Sequence, residues 1–299
     1  MNKYIKRLCF YSNMTGIDTY VTNNNLIINL LIGGCSGMIS RTITAPIELY
    51  KIQKQCFFIP NSNLSYVIKH EGIVGLWKGN GINCLRIFPQ TAIQYVGNNI
   101  CFNVLNSTNS NDRTLNLFIA GSLGGLMGSF ITYPFETIRT RYSVQSKCGV
   151  FQNAYSILRN LSITDMYRGV SLHIVGHVPF NALTFTFYNQ YRNIISDNFS
   201  GVSQRKNNIY SGLLAGSSAV LFTYPTDTIR RRLQLQGFNS YVPQYKSVKD
   251  CVTNMYKNEG LTGFYTGLHA GLLKMGFAMS LQFTLFAEFQ KVYRTRCQQ

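Results

Sequence analysis

The sequence predicts an all-α membrane protein: six transmembrane helices in three pseudo-threefold repeats, with a short helix between the members of each pair. Composition, the texture of the apolar stretches and a repeated proline motif predict it. Of 299 residues, 45% are hydrophobic and only 13% charged, an unusual balance for a soluble chain of this size. The apolar stretches, such as Leu26 to Ile39, Leu115 to Tyr133 and Met275 to Phe286, are rich in Gly, Ser and Thr and carry no acidic residue before their ends. That is the composition of helices that pack closely inside a bilayer.

The repeat is carried by three segments, APIELYKIQKQ (45–55), YPFETIRTRYS (133–143) and YPTDTIRRRLQ (224–234), which share Pro, any, acid, any, any, base. The prolines are Pro46, Pro134 and Pro225, 88 and 91 residues apart. Thirteen and nine residues before them sit Gly33 and Gly37, Gly121 and Gly125, and Gly212 and Gly216. Each unit therefore opens with a roughly 30-residue helix. Its GxxxG face admits a neighbour, and its proline kinks it where neighbouring helices re-satisfy the freed carbonyl.

A polar loop, a short amphipathic segment and a turn come next. In the first copy they run through Glu71-Gly72 to Trp77-Lys78-Gly79, and in the third through Glu259-Gly260 to Tyr265-Thr266-Gly267. The middle copy keeps only Tyr167-Arg168-Gly169. A second apolar helix, near 80–106, 170–195 and 268–294, completes each unit. The predicted divisions are an N-terminal segment at 1–24 and repeats at 25–108, 113–196 and 207–294.

The formal charge of +17 admits nucleic acid, an anionic lipid surface or an anionic substrate as partner. Nucleic acid fits poorly, because no basic run exceeds Arg230-Arg231-Arg232 and many cations are embedded in apolar sequence. A cation inside a membrane is costly, which makes it a functional candidate. The eight cysteines (Cys9, Cys35, Cys56, Cys84, Cys101, Cys148, Cys251 and Cys297) form no CxxC pair and read as small buried hydrophobes, with no metal site. Met1 to Tyr20 lacks the apolar core of a secretory signal.

Within each motif the acid and base are three residues apart and share a helix face. Pairing between helices gives Glu48 with Arg139, Glu136 with Arg230 and Asp227 with Lys51, a ring at one mouth of a bundle. Gln55 and Gln234 are placed to hydrogen-bond across such pairs, and Ser143 is too short to do so. Simple anchoring of basic residues at headgroups explains neither the acids nor their recurrence. Charge pairs out of water roughly break even on stability, so the ring suits a gate.

A second set of cations breaks the symmetry. Arg41 lies five residues before Pro46, where the other copies have Ser129 and Val220. Arg86 and Lys274 lie seven residues past Gly79 and Gly267, and Gly176 takes that place in the middle copy. Asymmetric cations in a symmetric scaffold suit a phosphate-bearing ligand.

These motifs resemble those of the mitochondrial carrier family over 25–294. The resemblance implies six transmembrane helices, three short matrix-side helices, a central substrate site, inner-membrane location and alternating access between two salt-bridge networks. By position it places substrate contacts at Gln94, Gly176, His177 and Lys274. The segments at 36–55, 133–141, 230–238 and 272–274 resemble carriers of thiamine pyrophosphate. The stretch 76–95 looks more like coenzyme A and adenine-nucleotide carriers. Leu233-Gln234-Leu235 departs from the methionines of the ADP/ATP carriers. The family's second network is eroded here: Asn99 with Phe102 and Tyr188-Asn189 with Arg192 replace its charge pairs, and only Glu288 and Lys291 remain.

The function expected is transport of a phosphate-bearing cofactor or nucleotide, thiamine pyrophosphate first, with no enzyme chemistry and no cofactor. Coenzyme A or an adenine nucleotide is the second reading, and a non-transporting membrane adaptor a reading of another class. The expected partners are a small anionic substrate and membrane lipid, with cardiolipin at the matrix side, for a monomer.

Overall fold

The structure, a computed structural model, describes residues 26–56, 64–108, 113–145, 153–198, 204–237 and 244–297. The N-terminal segment, Cys9 and Cys148 lie outside them. Every regular element among these residues is helical. The elements are α1 (Leu26–Gln55), α2 (Leu64–Glu71), a 3-10 turn (Ile73–Trp77), α3 (Asn80–Thr108), α4 (Arg113–Ile131), α5 (Tyr133–Val144), α6 (Ala154–Asn160) and α7 (Ile163–Met166). They continue with α8 (Val170–Asn198), α9 (Gln204–Leu235), α10 (Val248–Glu259), a second 3-10 turn (Leu261–Tyr265) and α11 (Leu268–Cys297).

The prolines act unequally. Pro46 and Pro225 lie inside the continuous helices α1 and α9. The middle copy instead breaks at Thr132, where 116–131 and 133–144 meet at 58°. Thr132 donates its side chain to the carbonyl of Gly128 at 2.8 Å, a local bond that competes with helix continuation. Among the described residues no single helix is long and apolar enough to cross a membrane, and this bent pair alone passes by length and composition. The Gly, Ser, Thr and charges that let the helices pack closely also dilute their hydropathy.

The chain divides into two compact units, 1–43 with 84–132 and 277–299, and 44–83 with 133–276. In the first, α4 comes close to α3 at Gly124 and Gly128. A Cβ on Gly124 would come 2.7 Å from the carbonyl of Gln94, and one on Gly128 2.8 Å from that of Gln90, both on α3.

In the second unit, the helix ends converge on an apolar plug with a contribution from every repeat: Ile52 and Cys56, Val144 and Leu235, all at most 2% exposed. Burying such side chains contributes about 1.5–3 kcal/mol each. The amphipathic helix α10 is capped by Ser247, whose side chain accepts from the Asp250 N–H, and ends at Gly260 with φ 67°. It lays Cys251 and Met255 against Ile229 and Leu233 of α9. Cys56 and Cys251 are buried as expected, but Cys35, Cys84 and Cys101 are only half-buried, because they lie beside the helix faces that pack and not within them.

Candidate functional site

The turns that open α3, α8 and α11 set the registry of the second unit. Gly79, Gly169 and Gly267 have φ of 80°, 81° and 81°, where a side chain is strained. A Cβ there would meet the backbone carbonyl of Arg139 at 3.4 Å, of Arg230 at 3.2 Å and of Lys51 at 3.2 Å, respectively. Each repeat thus seats its glycine turn on the motif base of the next repeat, and the third returns to the first. The circular contact brings the three bases together.

The predicted pairs form around it. Lys51 Nζ lies 2.6 Å from Asp227, Arg230 2.9 Å from Glu136, and Arg139 3.7 Å from Glu48. Gln55 donates to Asp227 and to the Thr228 hydroxyl, both at 3.4 Å. Gln234 takes different partners, accepting from Thr140 at 3.1 Å and Arg231 at 3.3 Å. Ser143 reaches only the Lys78 carbonyl.

Arg231 and His173 escaped the sequence pattern. Arg231 reaches Glu136 at 3.1 Å and Glu48 at 4.0 Å. Arg230 also binds Asp227 at 2.9 Å and the His173 ring. Successive residues on a helix point about 100° apart, so the Arg230–Arg232 run fans out. Arg232 turns outward to a bidentate pair with Glu259, one arm at 2.6 Å. The run itself was the available signal, because three adjacent cations on an interior helix each need a partner.

Lys274 was expected as a ligand for substrate, and its ammonium pairs with the Glu48 carboxylate. Within this cluster five cations (Lys51, Arg139, Arg230, Arg231 and Lys274) therefore face three carboxylates (Glu48, Glu136 and Asp227). The surplus is two positive charges.

A cavity of about 210 Å³ adjoins the cluster, lined among others by His173, Gly176, His177, Thr226, Asp227 and Arg230. His173 and His177 lie one turn apart on α8 with ring centroids 5.7 Å apart, and the Nε2 atoms of both are buried without a hydrogen-bond partner. Gly176 is required by close packing, since a Cβ would come 2.6 Å from the Thr226 hydroxyl. Among the sequence-predicted contacts, Gly176, His177 and Lys274 belong to this unit. Arg41, Arg86 and Gln94 are half-buried members of the other.

At the second-network positions, Tyr188 is buried and donates to Asn208 at 3.2 Å, and the backbone carbonyl of Arg192 accepts from Asn207. The side chain of Lys291 lies outside those described.

The mitochondrial carrier protein model matches the chain three times, at 22–109, 110–199 and 205–296. A mitochondrial carrier of Saccharomyces cerevisiae is 35% identical over 286 residues, covering 83% of this chain and 86% of its own. A mitochondrial adenyl nucleotide antiporter of Xenopus laevis is 29% identical, over 88% of this chain and 58% of the antiporter. An adenine nucleotide transporter of Arabidopsis thaliana, chloroplastic/mitochondrial, is 27% identical over 90% and 71%. With three tandem matches laid over three copies of one charged motif, the chain belongs to the mitochondrial carrier family, multi-pass transporters of the mitochondrial inner membrane.

Proposed function

We propose that this carrier moves a phosphate-bearing anion by alternating access, with Glu48, Lys51, Glu136, Arg139, Asp227 and Arg230 as its matrix gate. Gln55 and Gln234 brace the gate, and Pro46, Pro134 and Pro225 shape the helices that carry it. The observation that carries the reading is the surplus of two positive charges beside an open cavity. Buried unbalanced cations are costly unless an anion joins them, and a phosphate carries about −1.5 to −2 charges at neutral pH. Gly176, His177 and Lys274 are the proposed substrate contacts of the unit that carries the gate, and Arg41, Arg86 and Gln94 are those proposed for the other.

Adenine nucleotides are the first candidates, because two relatives across most of this chain are named for carrying them. Thiamine pyrophosphate is the second, favoured by the segments at 36–55, 133–141 and 230–238. A monomer with cardiolipin at its matrix-side helices completes the proposal. The test is uptake into liposomes preloaded with ADP, ATP, thiamine pyrophosphate or coenzyme A. Saturable uptake of one of these, abolished by Lys274→Met, is expected. Uptake of none would favour a non-transporting adaptor.

A further inference from the structure

The three acids of the ring are not held alike. Asp227 has its motif partner at 2.6 Å and Glu136 at 2.9 Å, whereas Arg139 stands 3.7 Å from Glu48. The ammonium that contacts Glu48 directly is that of Lys274, from outside the motif. The two partners also differ in access. The Glu48 side chain is 4% exposed and that of Lys274 31%, so the carboxylate is walled in while the lysine has a free flank.

We propose that Glu48 is a specificity-determining residue: its buried carboxylate serves as a resident anion that occupies Lys274 until a substrate phosphate displaces it. This rests on the phosphate reading above. A monoanion that replaces Glu48 exchanges one carboxylate-like partner for another and loses its own hydration, so the swap gains nothing. A phosphate carrying close to two charges gains from Lys274 and from the cationic surplus together. Lysine suits the exchange, being a point charge on a flexible four-carbon stem.

Displacement has a consequence at the gate. Glu48 then keeps Arg139 at 3.7 Å, Arg231 at 4.0 Å and the nearby charge of Lys51, so the occupied site weakens the ring at one of its three acids. Coupling of this kind is reciprocal, so whatever weakens the hold of Glu48 on Lys274 strengthens anion binding.

The test is equilibrium binding to the purified full-length chain, with ADP and thiamine pyrophosphate as the phosphate probes and acetate as the monoanion. Wild type is expected to bind one of the phosphates and to ignore acetate. Glu48→Gln should tighten the phosphate about tenfold, within the usual range of coupling between sites, and let acetate compete. Both gains should vanish in Glu48→Gln combined with Lys274→Met. Glu136→Gln, which raises the cationic surplus equally but frees no lysine, should tighten the phosphate less and should not let acetate compete. If Glu48→Gln does not fold, Glu48→Asp, which shortens the reach by one methylene, should show the same gain at smaller size. A change in the Glu48 variants no more favourable than that in Glu136→Gln, or a gain that survives without Lys274, overturns the proposal alone. Wild type that binds neither phosphate overturns the phosphate reading and this inference with it.

Discussion

Repeats 2 and 3 tie their motif helices to their own turns, and repeat 1 does not. Tyr133 donates to the Arg168 carbonyl and Tyr224 to that of Thr266, each at 3.0 Å. Thr137 donates to Met166 at 2.8 Å, and Thr228 to Phe264 at 2.9 Å. At the matching places repeat 1 has Ala45 and Leu49, which have no side-chain donor. The same repeat holds the acid that departs from its motif partner. One copy of a threefold scaffold thus lacks both tethers, so in the proposed gate residues 44–55 of α1 are the segment best suited to move.

The largest expected effect separates a shared base from a loosely held one. Arg230 serves two acids at 2.9 Å, so Arg230→Gln breaks two ion pairs at once; Arg231 still reaches Glu136 and Lys51 still reaches Asp227, and the loss should be about 3 kcal/mol. Arg139→Gln removes a 3.7 Å contact with Glu48 and a 3.3 Å hydrogen bond to Asn83, both longer than the Arg230 contacts, and should cost less. Thermal unfolding in detergent measures both. Equal losses would break the comparison between the repeats.

The glycine turns sharpen it. Gly169→Ala and Gly267→Ala each add strain at positive φ and a close contact with a backbone carbonyl, at about 1–3 kcal/mol. Gly79→Ala faces the Ser143 hydroxyl most closely, a side chain that can rotate away, and should be the mildest of the three. The tethers come next. Tyr224→Phe and Thr228→Val should cost about 1 kcal/mol each. Either should also speed hydrogen exchange in the turn at 261–267.

Much of this was legible beforehand. The motif spacing located six long helices and three interhelical pairs, because acid and base three apart on equivalent helices must face equivalent neighbours. The helix break at Thr132 was not legible, since a proline two residues on predicts only a kink. Nor was the pairing of Lys274 with Glu48. Its cause is the distance left between Glu48 and Arg139, which depends on how the glycine turns seat, and no single-residue pattern encodes that. The thiamine pyrophosphate preference rested on short segments, and the relatives carry no support for it.

The smallest effect concerns the surface helix α10. Burial pushes the Cys251 thiol from 9.0 up to about 12, aided by nearby Asp250 and Glu259 and opposed by Arg232. A thiol raised on folding favours the native state below its unfolded pKa, and the advantage is lost as pH rises from 9.0 through about 12. Maleimide should therefore leave Cys251 unlabelled in the native protein at pH 8 and label it on denaturation. Mass spectrometry of the peptide reads the outcome.

For substrate to pass the proposed gate, the ring must part. Gln55 and Thr228 face each other across it, their side-chain ends 3.4 Å apart, and cysteines at both positions can be bridged by a short bifunctional methanethiosulfonate. In liposomes the bridged Gln55→Cys, Thr228→Cys protein should take up no nucleotide, and reduction should restore uptake. Neither single cysteine variant should lose uptake to the reagent. Full uptake by the bridged protein would contradict the gate.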